Sequence, residues 1–183
     1  MLDYACGGGF LSKIFAPYIS SITAIDITPS MISRYNLSRT NGAITPEKSS
    51  AMVGNLLSSP PDPASLADKQ FYDFDLITVG AALHHFPSSA DALRILAARL
   101  APDGVLLIQD LFDARTPDSD GELPPEPKNR PTGFAKQGLG SMMESAGLQD
   151  FRMEVFAETF KIELPSLEVM EFQCFVASAK KPV

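Results

Sequence analysis

The chain has 183 residues, 45% of them hydrophobic, and a formal net charge of −7. That is a one-domain length with enough apolar material for a single core. The acidic balance, with no Lys/Arg cluster beyond Lys180-Lys181, argues against nucleic acid as a partner, because such binding draws most of its affinity from phosphate neutralisation. No apolar run of about 18 residues and no basic-then-apolar leader occurs, so a soluble, unprocessed, cytoplasmic chain that contacts no membrane is expected. Cys6 and Cys174 lie far apart in the chain, which suggests neither a disulfide framework nor a zinc site.

Taken in order, Leu2 to Tyr4 reads as a short apolar strand that breaks into Gly7-Gly8-Gly9 and restarts as a helix over Phe10 to Tyr18. Pro17 ends that helix, and Phe10, Leu11, Ile14 and Phe15 form its expected buried face. Glycines at a strand-to-helix turn let the backbone take φ > 0 and approach a ligand without a Cβ in the way. Cys6 is expected to pack inside the turn as a small apolar residue. Ser21 to Ile25 reads as the second strand, and it runs into Asp26, 17 residues after Gly9 (26 − 9). A carboxylate at that place can accept both hydroxyls of a ribose. Thr28 suits the N-cap of the next helix and Pro29 its first position.

Ser50 to Val53 reads as the third strand, leading to Gly54-Asn55. Asn55 can accept through its side-chain oxygen and donate through its amide, or it can form an Asx turn. Ser58 to Pro63 is too proline-dense for regular structure. Tyr72 to Val79 is the fourth strand, followed by Gly80 and, a few residues on, His84-His85. Ser88 to Leu100 is an amphipathic helix carrying Ala92, Leu93, Leu96, Ala97 and Leu100 at three- and four-residue steps. Pro102-Asp103-Gly104 turns into a fifth strand over Val105 to Asp110. Residues 113–131 hold Pro117, Pro124, Pro125, Pro127 and Pro131 and read as a mobile substrate-side loop. Gly133 to Ala146 is expected to be helical and closed by Gly147. Phe151 to Phe160 and Val169 to Ala177 are the last two strands.

The segment Asp3-Tyr4-Ala5-Cys6-Gly7-Gly8-Gly9 resembles motif I of the class I S-adenosylmethionine-dependent methyltransferases, [DE]-x-G-x-G-x-G, with Ala5 in place of the first glycine. The dinucleotide pattern G-x-G-x-x-G fails, since its third position is Ser12. Further segments are similar to the type 11 and ubiquinone-biosynthesis groups of the same family. They are Asp26-Ile27-Thr28-Pro29-Ser30-Met31, Phe74-Asp75-Leu76-Ile77 followed by Leu83-His84-His85, and Leu100-Ala101-Pro102-Asp103-Gly104-Val105-Leu106.

The resemblance covers essentially the whole chain. It implies a single Rossmann-like domain over residues 1–183, with a doubly wound sheet of seven strands in the order 3-2-1-4-5-7-6, strand 7 antiparallel, and helices on both faces. It implies S-adenosyl-L-methionine as cofactor, contacted at Asp3, Ala5, Cys6, Gly7, Gly9, Asp26, Ile27, Met31, Asn55, Leu56 and Gly80. No metal is expected, because Gly80 stands where the metal-binding Asp of catechol-type members would be. Family members carry several tens of residues before this strand, forming cap helices. Their absence here is read as a shortened gene model, or as a minimal domain with an open site.

Methyl transfer from a sulfonium requires the protein to hold nucleophile, carbon and sulfur in line, and in some cases to remove a proton. A neutral imidazole at His84 or His85 could take that proton from a phenol, hydroxyl or acid. Neighbouring side chains point apart, so at most one of the pair is expected to face the substrate, while the other caps a turn or packs beneath the cofactor. Relatives place another histidine before the Gly-Phe that matches Gly133-Phe134, and here Arg130-Pro131-Thr132 stand instead. Arg130 could bind a substrate carboxylate or simply be solvated. Val79-Gly80-Ala81 is not the [DN]-P-P-[YF] of amino-methylating enzymes. The expected acceptor is therefore a small organic molecule methylated at oxygen, nitrogen or carbon. The rival readings are a methyltransferase-fold domain that serves as a non-catalytic partner subunit, and an NAD-type oxidoreductase.

Overall fold

The computed structural model of the protein describes residues 1–40, 44–113, 133–163 and 169–183. Its strands are β1 (Leu2–Tyr4), β2 (Ile22–Asp26), β3 (Ser49–Val53), β4 (Phe74–Gly80), β5 (Leu100–Phe112), β6 (Gln149–Glu163) and β7 (Val169–Lys180). They form one sheet in the order β3-β2-β1-β4-β5-β7-β6. From β3 to β5 all pairings are parallel, whereas β7 runs antiparallel to both β5 and β6. Parallel neighbours need a crossover between them, and β6 and β7 have no described helix between them, so that pair turns back on itself. The chain steps outward from β1 to β3 and then returns to place β4 on the other side of β1. The topological switch point therefore lies between the carboxyl ends of β1 and β4, where ligands bind in open α/β sheets.

The helices are α1 (Phe10–Phe15), α2 (Pro29–Thr40), α3 (Ser89–Ala97) and α4 (Lys136–Ser145). After α1 the chain tightens into a 3₁₀ turn at Ala16–Tyr18, around Pro17. Ser88 caps α3, its hydroxyl accepting from Asp91 N at 3.2 Å, as N-cap serines do. The first turn of α2 closes on the Thr28 carbonyl, which accepts from Met31 N and Ile32 N.

Two boundaries differ from the sequence reading for visible reasons. Strand β5 starts at Leu100, paired with Phe74, and then jumps register to pair Val105 with Leu76. The expected turn at Pro102–Gly104 is thus a bulge inside one strand, with Asp103 at φ 60°. Helix α4 begins at Lys136, not Gly133, because Phe134 is drawn against β5. Its N–H donates to Leu111 O at 2.9 Å, and its carbonyl accepts from Asp113 N at 3.2 Å. A Cβ on Gly133 would lie 2.7 Å from that same Leu111 oxygen. Gly147, at φ 84°, ends α4 as expected.

Alternation along the strands sends residues to two cores. Leu2, Tyr4, Ile77, Val79, Leu106 and Ile108 join Leu93, Leu96, Leu139 and Met143 of α3 and α4 on one face. Met1, Ile22, Ala24, Ile32 and Tyr35 pack on the other, against α2. The expected buried face of α1 needs correcting. Leu11 is buried, but Phe10 is 65% and Ile14 47% exposed. On the face that carries α1 and α2, no described helix beyond α1 lies over β5, β7 and β6, whose other face is covered by α3 and α4. Phe10 and Ile14 instead border an open apolar cavity of about 350 Å³, with Leu107, Phe156, Phe160 and Val176.

Candidate functional site

The glycine turn between β1 and α1 is a run of left-handed residues: Ala5 at φ 56°, Gly7 at 51° and Gly9 at 83°. Glycine takes such angles freely, and alanine does so at a cost of about 1–2 kcal/mol. The turn is closed by Gly9 N donating to Cys6 O at 2.9 Å and by Cys6 N donating to Ile25 O at 3.1 Å. Asp26 then ties it to β2. Its Oδ2 accepts from Gly7 N at 2.9 Å and its Oδ1 from Thr28 N at 2.8 Å. Each oxygen keeps a second lone pair. A Cβ on Gly7 would meet nothing within 4 Å, so that side of the turn is open to an incoming group.

Beneath the turn lies a buried polar knot. Asp3, 1% exposed, accepts from Ser12 N at 3.1 Å, Ser12 Oγ at 2.6 Å and Thr78 Oγ1 at 3.1 Å. The Tyr35 hydroxyl donates to Ser12 Oγ at 2.9 Å. Burial pushes the Asp3 carboxyl up to about 6, with the hydrogen bonds from Ser12 and Thr78 pulling the other way. Asp3 thus faces the interior and anchors α1 to β1 and β4; it is not a cleft residue.

A cleft of about 460 Å³ opens at the switch point, lined by Tyr4, Ala5, Ile27, Asn55, Leu57 and His85 among others. Asn55 forms the Asx turn: its Oδ1 accepts from Leu57 N at 2.9 Å and from the Tyr4 hydroxyl at 3.2 Å. With both positions on that oxygen filled from within, the amide N–H group is what Asn55 can offer the cleft. Leu56 is 1% exposed and belongs to the core, so Leu57 takes the lining place expected for it.

The opposite wall is the 3₁₀ turn Leu83–His85, and it separates the two histidines. His85 is exposed and lines the cleft. The His84 side chain, 7% exposed, turns inward, its Nδ1 2.5 Å from Oδ1 of the fully buried Asp110. The two rings lie against each other with centroids 3.9 Å apart. Burial lowers the proton affinity of His85, and the charge of His84 lowers it further, while Asp110 works against both.

Of the residues marked in sequence, Ala5, Ile27, Asn55 and His85 meet in the cleft. The hydrogen-bonded pair Gly7 and Asp26 stands next to it in the chain, two residues after Ala5 and just before Ile27. Others stand behind it. The Cys6 thiol is buried in the core beside α2, and burial pushes it well up. Gly9 makes room for the Tyr35 ring and Gly80 for Leu11, each of which a Cβ would approach to 2.9 Å. Met31 is half-buried on α2. Sequence reasoning missed Tyr4, Leu57, Phe86 and Asp110. Asp110 left one signal, a lone acid closing the apolar run Val105 to Ile108. Of the expected loop over residues 113–131, residues 114–131, Arg130 among them, lie outside the described residues. Among the described residues, no three His, Cys, Asp or Glu side chains gather to hold a metal, and no helix is long and apolar enough to cross a membrane.

A family model described as a methyltransferase domain matches residues 1–152. A ubiquinone biosynthesis O-methyltransferase of Xanthomonas oryzae pv. oryzae is 34% identical over 117 residues, which is 64% of this chain and 44% of that protein. An uncharacterized methyltransferase of Schizosaccharomyces pombe is 31% identical over 113 residues, 61% of this chain and 38% of that one. The chain thus spans less than half the length of these relatives. Among solved structures, the YcgJ protein of Bacillus subtilis superposes with a TM-score of 0.70 at 15% identity, covering 100% of this chain and 91% of that one. A SAM-dependent methyltransferase from Methanosarcina mazei does so with a TM-score of 0.64 at 19% identity, covering 100% and 92%. At such identities the agreement concerns the fold, a seven-strand Rossmann-like sheet.

Proposed function

We propose that this chain, which belongs to the methyltransferase domain family, transfers a methyl group from S-adenosylmethionine to a small organic acceptor. The observation that carries the reading is the lock between Gly7 N and Asp26 Oδ2, at 2.9 Å, beside a 460 Å³ cleft at the switch point of the sheet. The residues fit the cofactor. Asp26 has a free lone pair on each oxygen for the two ribose hydroxyls, a charge-assisted arrangement. Ile27, which is 65% exposed, and Leu57 offer apolar walls for a flat base. The open side of Gly7 admits a close approach of backbone to ligand.

When bound, S-adenosylmethionine supplies a methyl group activated by its sulfonium. The chain's own contribution is to hold the acceptor in line and to manage its proton. His85 is the cleft group suited to receive that proton. Partial burial and the charge of His84 lower its proton affinity, the direction that favours the neutral ring a base toward the acceptor needs. The O-methyltransferase relatives support a hydroxyl oxygen as the first acceptor to try.

Calorimetric titration of the chain with S-adenosylmethionine and S-adenosylhomocysteine tests the reading, with NAD as the contrasting ligand. We expect binding of the sulfonium compound and none of NAD. Asp26→Ala should weaken the binding by about 1–3 kcal/mol, the range for a lost charge-assisted hydrogen-bond set. Unchanged affinity in that variant would remove Asp26 from the ribose site, and preferential NAD binding would overturn the assignment.

A further inference from the structure

Asp110 takes no direct part in the cleft, yet it is a fully buried carboxylate at the carboxyl end of β5, next to the switch point. Its surroundings are specific. Oδ1 accepts from Leu111 N at 2.7 Å and Oδ2 from His84 N at 3.2 Å. The third partner is His84 Nδ1, 2.5 Å from Oδ1. Main-chain N–H groups can only donate, so the carboxylate meets them as an acceptor. The ring completes the set by presenting its Nδ1–H, which leaves Nε2 as the unprotonated nitrogen of the neutral form. His84 is thereby held twice by one side chain, through its backbone and through its ring. A residue held that firmly, 7% exposed and with its ring against that of His85 at 3.9 Å and a 44° tilt, is a platform for its neighbour.

We infer that Asp110 is a positioning residue: it fixes His84 as an Nδ1–H platform, and His84 in turn holds His85 facing the acceptor. The inference rests on the methyl-transfer reading of the cleft. It assigns the two adjacent histidines different work, with only His85 in contact with the acceptor. The charged and titratable groups around His85 are few. Asp110 faces it from β5 by way of His84, and Tyr4 faces it across the cleft from β1. From the start of α3 comes a neutral hydroxyl, Ser89 Oγ, which donates to Leu83 O at 3.3 Å. The proton leaving an acceptor hydroxyl passes to His85 and, because that ring is exposed, from it to solvent.

His84 and His85 are the only histidines in the chain, so a ¹⁵N-histidine NMR titration of the full chain reads both rings without overlap. In the native protein, neutral His84 should show a protonated Nδ1 whose proton exchanges slowly, and His85 should show none. Asp110→Asn should abolish that slowly exchanging proton. His84→Asn keeps a donor for Asp110 and so guards against a folding failure. By removing the ring that covers and repels His85, it should raise the His85 midpoint toward the ordinary value of about 6.5. Asp91→Asn, on the exposed face of α3, should change neither ring. A neutral His84 protonated on Nε2, or a His85 midpoint indifferent to His84→Asn, overturns the inference. Loss of S-adenosylmethionine binding in the calorimetry would instead defeat the functional reading, so the two failures are told apart.

Discussion

The wall of the cleft supplied by β1 and β2 is made of backbone, whereas the wall supplied by β4 and β5 is made of side chains. On the first, a turn with left-handed residues at positions 5, 7 and 9 aims the Gly7 N–H at Asp26, and the whole device lies within the first 28 residues. On the second, the decisive contact joins His84 to Asp110, 26 residues apart in sequence. The two walls should therefore fail differently. The backbone wall is intolerant of added carbon, because Gly7 and Gly9 take left-handed angles and Gly9 also lies against the Tyr35 ring. The side-chain wall should tolerate changes in bulk better than changes in charge and hydrogen bonding.

The strongest way to break the backbone wall is Gly9→Ala. It combines an unfavourable φ of 83° with a Cβ placed 2.9 Å from the buried Tyr35 ring. The expected loss is about 2–4 kcal/mol of folding stability, from the left-handed cost plus overpacking, read from urea unfolding midpoints. A loss under about 1 kcal/mol would mean that Tyr35 swings aside and that the turn is more forgiving than its geometry suggests.

The knot beneath the turn gives the next largest effect, through pH. The Asp3 carboxyl is raised from 3.8 to about 6 in the folded state, so the folded chain binds its proton more tightly than the unfolded one. Below the unfolded value both states are protonated and folding bears no penalty. As pH rises through the window up to about 6, unfolding releases a proton, and stability falls by about 2–3 kcal/mol in all. Asp3→Asn should remove that slope. Unfolding curves at pH 4, 5, 6 and 7 for both chains check it, and parallel curves would show that the raised affinity plays no part in folding.

The smallest effect compares the two walls directly. Ala5 and Ala81 are both alanines at positive φ, 56° and 49°, one at the end of β1 and one just past β4. Replacement of each by glycine relieves about 1–2 kcal/mol of strain and adds back about 0.4–1 kcal/mol of unfolded-state entropy. Each variant should be more stable by up to about 1.5 kcal/mol. Thermal unfolding of the pair would show whether both walls store the same strain; a destabilised Ala5→Gly would mean that the Ala5 methyl has a packing role of its own.

Legibility followed the same division. The strand order and the antiparallel insertion of β7 came only with the resemblance to the methyltransferase family, since apolar periodicity marks strands without saying which of them pair. The glycine turn and the place of Asp26 could be read because each depends on residues close in the chain. The face of α1 was misjudged for the opposite reason. Periodicity reports which side of a helix is apolar, not whether another element lies there to cover it, and Phe10 and Ile14 face an open cavity. Asn55 and Leu56 were marked by position in a motif, yet the Asx turn claims the oxygen of one and the core claims the other.

The amino-acid sequence by itself determined the strand-turn-helix opening of the chain, the glycine turn at its first crossover and the carboxylate set against it, because local φ preferences and apolar runs are written residue by residue. The seven-strand order entered through the resemblance of its motifs to a known family. Tertiary structure alone decided which of two adjacent histidines meets the cleft. That choice is made by Asp110, brought beneath His84 by the pairing of β4 with β5, and a contact between a strand and the turn that follows its neighbour leaves no mark on the pattern of either segment.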